Sequence, residues 1–106
     1  MNVYLILKAL CDENRIKLLQ LIANQELCAC DLIENLPLTQ PTISHHLKIL
    51  TDSKLVNVEK RGKWCFYSIN RDAFNEFYAA LDKEIFQQDV EVRQCNSSCD
   101  GHRKNN

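Results

Sequence analysis

Two cysteines one residue apart, Cys28-Ala-Cys30, are the most concentrated chemistry in this 106-residue chain. Thiolates are soft ligands for thiophilic ions, and a helix N-terminus close behind them favours the thiolate over the thiol. In an ideal helix, residues i and i+2 point about 200° apart. The two sulfurs therefore share one ion only where the segment is extended, distorted or bridged by a ligand that reaches around it. Cys95 and Cys99, with His102 just behind, are either a second site or an incidental pair in a polar tail. Cys11 and Cys65 read as small apolar residues. A second constellation follows: Gln40, Thr42, Ser44, His45 and Lys48 carry groups that meet base edges and phosphates, and Lys60, Arg61 and Lys63 form a basic cluster.

Those side chains need elements to aim them. Val3, Leu7 and Leu10 fall at i, i+4, i+7 and predict a first short helix; Asp12 caps a second, with Ile16, Leu19, Ile22 and Ala23 on one face. The periodicity lapses over residues 26–29. Asp31-Leu-Ile-Glu34 then has the form of a capping box, with Asp31 as N-cap of a third helix that stops before Pro37. Thr39 can cap a fourth helix, and Pro41 is tolerated in its first turn. Ile43, Leu47 and Leu50 lie in one stripe of that helix, which leaves His45 and Lys48 opposite, with Thr42 and Ser44 on the flanks. His46 sits near the edge of the stripe and reads as a packing residue. Residues 55–59 and 64–69 are rich in β-branched and aromatic residues, and Lys60-Arg61-Gly62-Lys63 between them supplies a turn glycine and three charges. A last helix begins at Asn70 or Arg71, with Phe74, Phe77, Tyr78, Leu81, Ile85 and Val92 at helical spacing. The expected fold is mainly α with a β-hairpin (α+β): a winged helix-turn-helix over residues 1–92, with a polar, mobile tail over residues 93–106. Leu7 on the first helix and Phe74, Phe77, Tyr78, Leu81 and Ile85 on the last are read as a homodimer interface.

Composition agrees with a single globular domain: 45% of the residues are hydrophobic and 25% charged. The longest apolar run, Val3 to Leu7, is too short for a membrane span and lacks the basic start of a signal peptide, so a cytoplasmic protein is expected. In that reducing compartment six cysteines point to metal or thiol chemistry rather than to disulfides. The net charge of −1 hides an uneven distribution. Residues 1–39 carry three basic and five acidic side chains, residues 40–71 six and two, and residues 72–106 four and seven. The middle third is thus a basic island between acidic flanks. A solvated amphipathic helix alone would explain residues 40–48 equally well; the island and the charged hairpin favour double-stranded DNA, with the fourth helix in the major groove.

Three segments in register carry a family resemblance. Glu26-Leu-Cys-Ala-Cys-Asp-Leu32 resembles the metal-binding box of the ArsR/SmtB metal-sensing repressors, Gln40-Pro-Thr-Ile-Ser-His-His-Leu-Lys-Ile-Leu50 their recognition helix, and Arg61-Gly-Lys-Trp-Cys-Phe-Tyr67 their wing. The similarity runs collinearly over residues 3–90 and is strongest to the arsenite-responsive branch. It implies a homodimeric repressor that leaves its operator when arsenite or antimonite binds cysteine thiolates, with Cys28 and Cys30 as the first two ligands. The position of the third ligand in the best-known members is Ile33 here, so a further sulfur falls to Cys95 or Cys99, of the same or the other subunit. The zinc-sensing branch fits less well, because residues 72–92 contain no histidine.

Other readings stay open on the same scaffold: a cadmium or lead sensor, or a thiol-redox switch. An enzyme is disfavoured, since neither a Cys-x-x-Cys motif nor a nucleophile-base-orienter set is evident.

Overall fold

A computed structural model describes residues 1–95. Its elements are α1 (Val3–Leu10), α2 (Glu13–Ile22), β1 (Leu27–Cys28), α3 (Ala29–Asn35), α4 (Gln40–Asp52), β2 (Val56–Arg61), β3 (Trp64–Ile69) and α5 (Arg71–Phe86). Side-chain caps start three of the helices. Asn2 accepts from the backbone N–H groups of Tyr4 and Leu5, Asp12 from those of Asn14 and Arg15, and Asn70 from that of Ala73. Each supplies an acceptor to N–H groups that have no partner within the helix.

The end of α4 sets the wing in place. Lys54 adopts a left-handed φ of 69°. The N–H groups of Lys54 and Leu55 turn back to the carbonyls of Thr51 and Leu50, which is the Schellman closure. Leu50 and Leu55, both fully buried, supply its apolar contact. Asn70 clamps the same corner from the far end of the hairpin, its backbone N–H donating to Leu55 O and its amide to Lys54 O. At the hairpin tip, Gly62 takes a φ of 63°. It occupies the first position of a two-residue loop between Arg61 and Trp64, where a primed turn requires that conformation.

The core gathers Leu18, Ile22, Leu32, Ile43, Leu50 and Leu55, all fully enclosed, with Val3, Ile6, Leu47 and Phe77 around them. The stripe on α4 is the expected one. On the first two helices the buried faces are rotated from the expected ones: Val3, Ile6 and Ala9 point inward on α1, leaving Leu7 exposed, and Leu18 replaces the exposed Ile16 on α2. Short helices hold enough apolar residues to support two registers, and packing against α4 and α5 selects one.

Three further expectations are corrected. A third strand, β1, pairs antiparallel with β3, giving the sheet order β1-β3-β2 rather than a lone hairpin. The third helix begins earlier than Asp31, with Cys28 as its N-cap. The terminal stripe divides: Phe77 is 4% exposed and belongs to this chain's own core, whereas Tyr78 and Ile85 are exposed. Val92 lies past the end of α5, in a segment without regular structure. Among the described residues no helix is long and apolar enough to cross a membrane.

Candidate thiol site and nucleic-acid interface

Cys28 ends β1 with an extended backbone and caps α3. The chain turns at this residue, so the helical objection to an i, i+2 pair does not apply. The two sulfurs stand 2.6 Å apart, beyond the ~2.05 Å of a disulfide, and both cysteines are free. Cys28 is 8% exposed while Cys30 faces solvent, so the pair has one anchored and one accessible member. Asp31 completes the cluster. One carboxylate oxygen accepts from both the backbone N–H and the thiol of Cys28, each at 3.1 Å, and the ligand atoms of all three residues lie within 4.8 Å of one another.

This arrangement holds the Cys28 thiol above its ordinary pKa, chiefly through the hydrogen shared with Cys30, with the thiol's hydrogen bond to Asp31 and partial burial adding to it. The backbone N–H groups of Asp31 and Cys30 favour the thiolate, as a helix start should, but at Cys28 they are outweighed by the side-chain hydrogen bonds and burial. Asp31 is not the N-cap of α3 but its third residue, accepting back from the Cys28 backbone. Cys28-x-x-Asp31 has the capping-box spacing with cysteine in the place of serine, and that was the available signal.

Two soft sulfurs with an open side suit a thiophilic ion of small coordination number. Ile33, the position of the third ligand in the resemblance, is half-buried against the core and offers no donor. Cys95 lies in the exposed segment beyond α5, and Cys99 lies outside the described residues, as does His102. Cys11 is exposed rather than packed, and Cys65 is half-buried on β3.

The candidate interface for nucleic acid comprises α3, the turn and α4. Ile43, His46, Leu47 and Leu50 bury one side of α4, so Gln40, Ser44, His45 and Lys48 are exposed and Thr42 sits at the margin. Thr39 does not cap with its side chain; its hydroxyl pairs with that of Thr42 at 2.9 Å. Lys48 reaches Asp52 at 3.2 Å, both widely exposed, an ion pair of small worth that a phosphate can displace.

On the wing, Lys60 is exposed and Lys63 rests its ammonium 5.5 Å over the Trp64 ring. Arg61, expected beside these lysines as a phosphate contact, has its guanidinium engaged within the chain. It makes a two-pronged pair with Glu26 at 2.7 and 3.0 Å, a third bond to Glu59 at 2.8 Å, and covers the Phe66 ring at 4.6 Å. Both carboxylates raise its pKa, and Arg61 in turn lowers that of Glu59.

The comparisons with known proteins bear on this geometry directly. Residues 12–58 match the model of the bacterial regulatory protein, arsR family. The chain is 43% identical over 77 residues to an arsenical resistance operon repressor of Staphylococcus xylosus, covering 73% of this chain and 74% of that repressor. This chain belongs to the ArsR family. Among solved structures, an ArsR-like transcriptional regulator from Rhodococcus sp. RHA1 superposes with a TM-score of 0.71 at 26% identity, over 77% of each chain. A possible transcriptional regulator for arsenical resistance superposes with a TM-score of 0.65, also at 26% identity, over 73% of this chain and 80% of that one.

As an ArsR-family member the chain is a winged-helix transcriptional regulator, and the matched segment contains both Cys28-Ala-Cys30 and all of α4. Two residues of this fold were missed in the sequence because each acts through a distant partner. Glu26 acts through Arg61. Arg15 donates to His46 on α4 and to the carbonyl oxygens of Ala9 and Lys8 at the end of α1. His46 itself is buried, as its place at the edge of the stripe suggested.

Proposed function

We propose that this ArsR-family regulator is a cytoplasmic, non-enzymatic repressor that binds double-stranded operator DNA as a homodimer and lets go when trivalent arsenic or antimony binds Cys28 and Cys30. The observation that carries the reading is the pair of sulfurs 2.6 Å apart at the N-cap of α3, the helix that leads directly into the turn before α4. The names of the relatives support arsenic as the inducer class.

Arsenite meets the site as neutral As(OH)3. Each thiol that bonds to arsenic gives up its proton to a leaving hydroxide, which departs as water, so two cysteines release two waters. A third sulfur would come from Cys95 or Cys99. On the DNA side, Gln40, Thr42, Ser44, His45 and Lys48 face the major groove while Lys60 and Lys63 follow the backbone. The dimer reading is supported by exposed apolar side chains on adjoining α1 and α5, including Leu5, Leu7, Tyr78 and Ile85. Tyr4 and Glu84 tie those two helices together at 2.8 Å.

Repression and sensing are linked only if the ion binds the DNA-free form more tightly, and DNA then weakens ion binding by the same factor, typically about 5- to 150-fold. A band shift with operator DNA, titrated with arsenite, antimonite, cadmium, lead and zinc, tests the reading. Release by arsenite and antimonite is expected, and its loss in the Cys28→Ser/Cys30→Ser protein. A double-serine protein that arsenite still releases would move the sensing site elsewhere. A thiol-redox switch is the second reading, favoured by the close approach of two free sulfurs, and release by mild peroxide in place of arsenite would select it. Release by cadmium or lead but not arsenite would select a divalent-ion sensor.

A further inference from the structure

We propose that the wing is an output arm of the cysteine site, and that Glu26 and Arg61 are the positioning residues that couple the two; this rests on the reading of Cys28 and Cys30 as inducer ligands. The connection is a closed circuit. Cys28 is paired with Phe66 across the β1–β3 ladder. Arg61, on β2, lies over the Phe66 ring. From there both terminal guanidinium nitrogens return to Glu26, two residues ahead of Cys28 on the same segment. A two-pronged arginine–carboxylate pair fixes orientation as well as distance, unlike the single contact of Lys48 with Asp52.

Loading the thiols disturbs the first residue of this circuit. The Cys28 thiol and its backbone N–H share one oxygen of Asp31. A sulfur bonded to arsenic no longer donates a hydrogen to that oxygen, so the carboxylate and the backbone it caps must readjust. The strand ladder and the Glu26–Arg61 clasp carry that change to β2, which holds Lys60, and to the β2–β3 turn, which holds Lys63. A shift of the wing takes these two lysines off the phosphates while α4 is disturbed separately through α3.

Trp64 is the only tryptophan of the chain and sits exposed at the base of the hairpin turn, directly across from Arg61, so its emission reports the wing. The experiment titrates the full-length, DNA-free protein with phenylarsine oxide, which needs only two sulfurs, and separately with arsenite. Trp64 emission and the number of remaining reactive thiols are followed together, and operator affinity is measured with and without each arsenical. Emission is expected to change as two thiols disappear, and to stay constant in the Cys28→Ser/Cys30→Ser protein. Glu26→Gln is expected to shrink the emission change and to cut the arsenical's effect on operator affinity by about threefold or more. Glu26→Asp, which keeps the charge, should restore most of both. Glu59→Gln removes the other carboxylate on Arg61 without touching the link to β1, and should leave the coupling intact.

Thiols consumed by phenylarsine oxide with no change in Trp64 emission would overturn the proposal, as would equal losses of coupling in Glu26→Gln and Glu59→Gln. Arsenite that consumes no thiol, while phenylarsine oxide still moves Trp64 through Glu26, would defeat arsenite as inducer and leave the wing coupling standing.

Discussion

Arg15 donates a guanidinium N–H to Nδ1 of His46 across 3.1 Å, joining α2 to the buried side of α4. Arginine has no acceptor, so Nδ1 accepts and the ring proton resides on Nε2. The same guanidinium donates through Nε to Ala9 O at 2.7 Å and stands 3.8 Å from the Asp12 carboxylate, which ties α1 and the α2 cap to α4. His46→Leu keeps the apolar packing but leaves the donor without its acceptor, and is expected to cost about 1–3 kcal/mol. His46→Asn, with an oxygen near the Nδ1 position, should lose less stability and less operator affinity. Urea denaturation beside operator titration compares the two; a leucine variant as stable as the unmodified protein would remove His46 from the linkage.

The exposed side of α4 and the wing are expected to fail differently. Ser44→Ala and His45→Ala should each weaken operator binding by about 1–3 kcal/mol and affect random DNA little. Lys63→Ala should weaken both kinds of DNA and reduce the salt slope by about one. Anisotropy titrations at several salt concentrations separate these outcomes, and equal losses on random DNA for Ser44→Ala would make it a backbone contact.

The divided stripe on α5 predicts two phenotypes from neighbouring substitutions. Ile85→Glu places a charge on an exposed apolar position, at 60% exposure, and should yield a folded monomer. Phe77→Asp buries an unpaired charge in the chain's own core and should abolish folding. Sedimentation with circular dichroism checks both. An unmodified protein sedimenting as one subunit at micromolar concentration would remove the dimer.

Protons distinguish the inducer classes. Cys28 keeps its thiol proton to a higher pH than an ordinary cysteine. Cadmium, which binds thiolate, must expel that proton, so its affinity should rise with pH by up to about tenfold per unit for each proton released. With As(OH)3 the thiol proton leaves in water, so affinity should stay nearly level through the neutral range. Calorimetry in buffers of different ionisation enthalpy counts the protons: release with cadmium and none with arsenite is expected. Proton uptake with arsenite in the neutral range, from hydroxide displaced by a thiolate, would contradict the protonated Cys28.

The residues alone were enough for the helix-turn-helix, the buried stripe of α4, the glycine turn and the cysteine pair. Each is written in interactions within about four residues, through caps, periodicity and turn conformation, and such signals survive without knowledge of the rest of the chain. Only the tertiary structure decided the rest. β1 is two residues long and has no periodicity of its own, and it exists because β3 offers Leu27 and Cys28 a partner. Asp31 changed from N-cap to acceptor for Cys28 because that pairing brings Cys28 to the helix start in an extended conformation. Phe77 and Tyr78, adjacent and both aromatic, have opposite exposure because the core occupies one side of α5 and not the other. Arg61 and Glu26 carry ordinary surface residue types in sequence. They become a clasp because the β1–β3–β2 sheet brings them within hydrogen-bonding distance, and that is a property of chain crossing that no local pattern encodes.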